Sequence, residues 1–131
     1  MSVSGSYLLD TNVVIAFFSG EQPVVDRLNG TDEILLTSTV VGELFFGAHK
    51  SARAADNAAR VENLIDRVVV LDCDTETARQ YGLIKNLLRQ KGHPIPDNDI
   101  WIAAVALQYD LALATRDAHF AEVTGLKMET W

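Results

Sequence analysis

Four acidic side chains in this 131-residue chain stand where chemistry could use them. Asp10 closes the apolar run in YLLDTN, and Glu43 lies inside VVGELFFGA among positions that would pack inward. Asp99 opens DIWIAAVAL, with Asp97 two residues earlier, and Asp117 follows the apolar run in LALATRD. The aspartates have a plain structural alternative, because Asp is a favoured helix N-cap and each stands near a helix start. Glu43 does not, since it is inside a helical pattern. A carboxylate among apolar neighbours must find a cation or strong donors, or its pKa rises. Lys50 is two turns away, and a rotated helix would leave Glu43 in a surface ion pair.

Carboxylates that converge on one pocket repel each other unless a divalent cation holds them, and Mg²⁺ and Mn²⁺ favour oxygen donors. His49, His93 and His119 lack a paired helical spacing and are expected to be ordinary surface or partly buried side chains. The expected site is therefore all-oxygen. Such a site suits phosphate chemistry, in which the ion activates a water and offsets charge on the phosphate oxygens.

The elements that must position these acids follow from apolar periodicity. Strands are expected at Tyr7–Leu9, Glu33–Leu36, Val68–Leu71 and Leu111–Ala114, with an edge strand at Lys127–Thr130. Helices are expected at Asn12–Phe18, from Pro23 to Gly30, from Ser38, at Arg53–Ile65, at Asp74–Gln90 and at Asp97–Tyr109, with a short one near Asp117. Short apolar strands alternating with helices predict an α/β domain with a mainly parallel sheet, whose chemistry sits at the carboxyl ends of strands. Asp10 and Asp117 fall at such ends.

Length and composition set the outer limits. The chain is the size of one domain, 1–131, and 48% hydrophobic residues supply a core without disulfide or metal staples. Its net charge of −7 gives no global field toward nucleic acid or an anionic membrane. Cys73 is the single cysteine, which excludes an internal disulfide and fits a reducing cytoplasm. No apolar run approaches the roughly 20 residues of a membrane span, and the start MSVSGS lacks the features of a signal peptide.

The segments LLDTN, TSTVVGELFFGA, IPDNDIWIAAVAL and LATRDAHF, in this order and spacing, resemble the PIN domain, specifically the VapC-type toxin ribonucleases of type II toxin–antitoxin systems. The resemblance covers nearly the whole chain. It implies a three-layer α/β/α sandwich and an acidic pocket holding one or two Mg²⁺ or Mn²⁺ ions. In the family's pattern Asp10, Glu43 and Asp99 are the catalytic metal ligands, and Asp117 is the fourth, often a weaker or water-mediated contributor. Asp97 would cap the helix, add charge, or replace Asp99 if the register differs. The implied reaction is endonucleolytic hydrolysis of RNA (a tRNA, an rRNA loop or an mRNA) by metal-activated water, leaving a 5′-phosphate and a 3′-hydroxyl. Thr11, Asn12 and Thr115 are accessory candidates, with a start-of-helix role as the alternative for Thr11 and Asn12. Arg116, beside Asp117, is the substrate-contact candidate. Arg53, Arg60 and Arg67 repeat every seven residues and would form a stripe along an RNA backbone or merely a solvated face, as would Lys85 and Arg89. The resemblance also implies a homodimer and silencing by a cognate antitoxin, for which the pairs Phe17–Phe18 and Phe45–Phe46 would offer a groove if one ring of each faces outward, the alternative being that all four fill the core.

Two other readings compete. A receiver-type phosphorylation module would use Asp72 as phosphoacceptor but needs an acidic pair after the first strand, where Thr11 and Asn12 stand. A PIN-like domain that binds RNA or protein without cutting is the other, since fold does not fix function.

Overall fold

The computed structural model describes residues 5–131, so the reading of the amino-terminal leader falls, for residues 1–4, outside the described residues. Leu8 and Leu9 in β1 (Ser6–Leu9) are fully buried, as expected of a strand covered on both faces. Around it lie β2 (Glu33–Thr37), β3 (Val69–Leu71), β4 (Ala112–Thr115) and β5 (Met128–Thr130) in the order β3-β2-β1-β4-β5. Every pairing is parallel, including the edge strand β5 with β4. Helices flank this sheet, giving the expected α/β/α layers. Strand limits shift from the sequence reading by one residue, and β4 runs on to Thr115.

Local chemistry sets the helix limits. Asp10 starts α1 (Thr11–Phe18), and Gly20, at φ 75°, turns the chain after it. Pro23 occupies the first turn of α2 (Gln22–Asn29). Thr37 Oγ1 accepts from Val40 N at 3.0 Å to open α3 (Ser38–His49), which is followed by α4 (Ala54–Ile65). Asp74 and Thr77 form a reciprocal cap on α5 (Thr75–Lys91), and Gly92 in the left-handed region ends it. Pro96 precedes α6 (Asp97–Gln108), whose residues Ile102 to Ala106 are all buried. The alanines there let α6 approach its neighbours closely.

From β1 the chain steps to β2 and β3 on one side, then returns to β4 on the other. The carboxyl ends of β1 and β4 therefore flank a topological switch point, where an open parallel sheet leaves a crevice for ligands. The same order overturns the receiver-type reading. Such folds follow the order 2-1-3-4-5, whereas here β3 is at the edge and exposed Asp72 lies two strands from Asp10.

Candidate active site

Asp10 follows β1 directly and is 3% exposed. Its Oδ1 accepts from Thr11 N at 2.8 Å, so it is a helix cap. Its Oδ2 accepts from Thr115 Oγ1 at 2.7 Å and from Asn12 Nδ2 at 3.3 Å, which is more than a cap requires. Asn12 Nδ2 also reaches Asp117 Oδ2 at 3.4 Å, and Asn12 Oδ1 accepts from Arg116 N at 3.2 Å. Asp117 N donates to Thr115 Oγ1 at 3.0 Å. The ends of β1 and β4 are thus laced together through Asp10, Asn12, Thr115 and Asp117.

Glu43 reaches this crevice from α3, where it is half-buried. Its two oxygens accept from Thr11 Oγ1 at 2.9 Å and Asn98 Nδ2 at 2.8 Å, so α3 is tied to α1 and α6. Among the described residues no lysine or arginine pairs with it, and Lys50 lies over the Phe46 ring instead. Asp99, on the first turn of α6, is 9% exposed and makes no capping bond. Its Oδ2 lies 2.9 Å from His119 Nε2. Asp117 precedes the 3₁₀ helix Ala118–Glu122 without a side-chain cap. Donor atoms of Asp99, Asp117 and His119 lie within 4.8 Å of one another.

The electrostatics follow from burial and proximity. Burial pushes the Asp10 carboxyl up, and Asp117 adds to this, while Thr115 and the Thr11 amide oppose it. Burial raises Asp99 most, to about 6, with Asp10 and Glu43 adding and His119 opposing. Among the described residues no lysine or arginine forms an ion pair with any of the four acids. Oxygen-rich donors with uncompensated negative charge fit a hard divalent cation. Asp10, Glu43, Asp99 and Asp117 could hold it.

Other candidates lie elsewhere. Asp97 is exposed and paired with Lys85 Nζ at 2.9 Å, which lowers its pKa, so it neither caps α6 nor joins the acids. The guanidinium of Arg116 is held by Glu21 at 2.8 and 3.2 Å and by the Trp131 carbonyl at 2.8 Å. Arg53, Arg60 and Arg67 do not make one helical stripe, because α4 spans only Ala54–Ile65. Arg53 pairs with Asp56, while Arg60 folds over the Phe18 ring and donates to its carbonyl. Arg89 lies nearest Asn86 rather than an acid.

Three participants escaped the sequence reading. His119 faces Asp99 from 20 residues away, Asn98 supports Glu43 from 55 away, and Glu21 neutralises Arg116 from 95 away. Only His119 had a local signal, its position two residues after Asp117.

Beside the acids runs a groove of about 400 Å³ lined by Ile15, Phe18, Glu43, Leu44, Arg60 and Val61, among others. Its apolar walls come from α1, α3 and α4, and Glu43 belongs to both groove and acidic cluster. Of the phenylalanine pairs, Phe46 faces outward at 66% exposure, whereas Phe17, Phe18 and Phe45 are half-buried.

Comparisons with known proteins bear on the family and the fold. Residues 7–126 match the PIN domain family. The chain is 35% identical over 129 residues to Ribonuclease VapC2 of Haemophilus influenzae, spanning 95% of this chain and 97% of that protein. It is 34% identical over 128 residues to the tRNA(fMet)-specific endonuclease VapC of Salmonella typhimurium, with the same coverage. The fold superposes on a chain of DNA-bound VapBC from Salmonella typhimurium with a TM-score of 0.90 at 32% identity, covering 96% of this chain and 98% of that one. The chain therefore belongs to the PIN domain family and, within it, to the VapC ribonucleases.

Proposed function

We propose that this chain is the toxin of a toxin–antitoxin pair, an endoribonuclease that cuts RNA in the crevice at the ends of β1 and β4. The observation that carries the proposal is the meeting of four carboxylates from separate elements, held by Thr11, Asn12, Asn98, Thr115 and His119 and left, among the described residues, without a lysine or arginine partner. Asp10, Glu43, Asp99 and Asp117 would hold Mg²⁺ or Mn²⁺, one or two ions. When bound, such an ion makes water nucleophilic near neutral pH and offsets the charge that builds on the phosphate.

The chain's own part is to position and to bind. Thr115 and the Thr11 amide fix the two oxygens of Asp10, and Thr11 and Asn98 fix those of Glu43. Asn12 holds Asp10 and Asp117 at a set spacing. The Thr11 and Thr115 hydroxyls both donate to carboxylates and so orient the acids. Hydrolysis by water then leaves a 5′-phosphate and a 3′-hydroxyl. Arg116 is the candidate to meet the RNA backbone, exchanging Glu21 for a phosphate. Since the Salmonella relative is named for tRNA(fMet), tRNA is the first substrate class to try.

The partner proposed for the apolar groove is a segment of a cognate antitoxin, which would cover Glu43 and so block the acids. Solved relatives that are VapBC complexes support this. Self-association is proposed through α5, where Leu83 and Leu87 are exposed. The cytoplasm is the proposed compartment: no helix among the described residues is long and apolar enough to cross a membrane, and Cys73 is a free thiol.

Induced expression in a bacterial host tests the proposal. Growth should stop, new 5′-phosphate RNA ends should map to discrete positions, and co-expression of the antitoxin should restore growth. Arrest without new RNA ends would favour a PIN-like binding domain that does not cut.

A further inference from the structure

Every oxygen donor of the acidic cluster has a place in the proposed ion site, but one nitrogen beside it does not. His119 projects from the 3₁₀ helix after β4 and brings Nε2 to 2.9 Å from Asp99 Oδ2. Its ring packs against Phe120, with centroids 4.9 Å apart, and Phe120 is fully buried. The imidazole is therefore anchored from beneath and only half-exposed above. Asp117, two residues earlier, turns its carboxylate to the same place, so that one donor atom each from Asp99, Asp117 and His119 fits within 4.8 Å.

We propose that His119 Nε2 is itself a ligand to the cation held by Asp99 and Asp117, making this a mixed nitrogen–oxygen centre that favours Mn²⁺ over Mg²⁺. The distance is the first argument. Adjacent donors of an octahedral shell with bonds of about 2.1 Å lie about 3 Å apart, which is the separation of Nε2 and Asp99 Oδ2. A histidine serving only as a counter-ion to Asp99 would not need to converge on Asp117 as well. The donor type is the second argument. Imidazole binds first-row transition ions well, whereas Mg²⁺ holds to carboxylate and water. For Nε2 to bind, the ring proton must sit on Nδ1, so the ion would take the place of the proton that links Nε2 to Asp99 Oδ2 in the metal-free protein.

This inference rests on the proposed ion site but not on RNA cleavage, and its test reads the ion directly. Purified protein is loaded with Mn²⁺ and examined by pulsed electron paramagnetic resonance. Nitrogen modulation from a bound imidazole is expected in wild type and should vanish in His119→Gln and His119→Ala. Calorimetric titration should show Mn²⁺ binding about tenfold weaker in both variants, with Mg²⁺ binding changed much less. The thermal midpoints of the metal-free variants verify folding. Mn²⁺ bound by wild type without nitrogen modulation would overturn the proposal and leave the carboxylate site standing. Equal loss for both ions would also overturn it, because His119 would then only orient Asp99. Failure of wild type to bind either ion would remove the proposal together with the site.

Discussion

The Thr115 hydroxyl donates to Asp10 Oδ2 at 2.7 Å, joining the last residue of β4 to the residue that follows β1, 105 positions earlier. Both side chains are buried, and Thr115 Oγ1 also accepts from Asp117 N. One hydroxyl thus supports two of the four acids at once.

Thr115→Val keeps the shape and removes that hydroxyl. It leaves the buried Asp10 carboxylate short of a donor and the Asp117 amide without its acceptor, at a cost of about 1–3 kcal/mol. Urea denaturation should show this loss, and cation affinity should fall with it. Thr115→Ser, which retains the hydroxyl, should recover most of both.

Asp99 gives the metal-free protein a defined pH dependence. Burial raises its carboxyl from 3.8 to about 6. Between these values the folded chain holds a proton that the unfolded chain has released, so this group's contribution to stability falls as pH rises through about 6. The raised Asp10 acts in the same direction. In metal-free protein, Asp99→Asn should raise stability at neutral pH by about 1–2 kcal/mol and flatten the dependence of melting temperature on pH. Adding Mg²⁺ or Mn²⁺ at neutral pH should stabilise wild type and leave Asp99→Asn nearly unchanged.

Arg116 and Glu21 predict a two-way effect on substrate binding. Arg116→Ala should raise the KM for RNA by about three- to tenfold and leave the ion dissociation constant as in wild type. Glu21→Gln removes the competing carboxylate and should lower KM. Steady-state cleavage of a labelled RNA at several salt concentrations distinguishes these, since contact with the backbone weakens as salt rises.

The groove separates silencing from cutting. Ile15 lines it at 53% exposure and is not one of the acids that the proposed chemistry uses. Ile15→Asp should weaken antitoxin binding, read by calorimetry, and keep ribonuclease activity within about twofold of wild type.

Much of this architecture was legible in the sequence, for reasons that particular residues show. Asp10 could be placed because a three-residue apolar strand ends on it, and Glu43 because a carboxylate amid Val40, Val41, Leu44 and Phe45 has no cheap place in a helix. What escaped depends on pairs from distant elements. Asp97 is drawn away by Lys85, twelve residues earlier on α5, and that pairing has no signature in Asp97's own neighbourhood. The Arg53–Arg60–Arg67 period has the spacing of a helix face but overruns both ends of α4. His119 failed a test of helical ligand spacing because its neighbours at the site come from α6 and the end of β4, not from its own helix.

The four carboxylates should support RNA cleavage only when they hold a divalent cation. Purified wild type and Asp10→Asn, prepared identically and free of antitoxin, should be incubated with an RNA pool in Mn²⁺ or Mg²⁺ and, separately, in EDTA. Wild type should give discrete fragments with 5′-phosphate ends, while the variant and the EDTA samples give none. Equal fragments from wild type and Asp10→Asn, or cutting that survives EDTA, would contradict the claim.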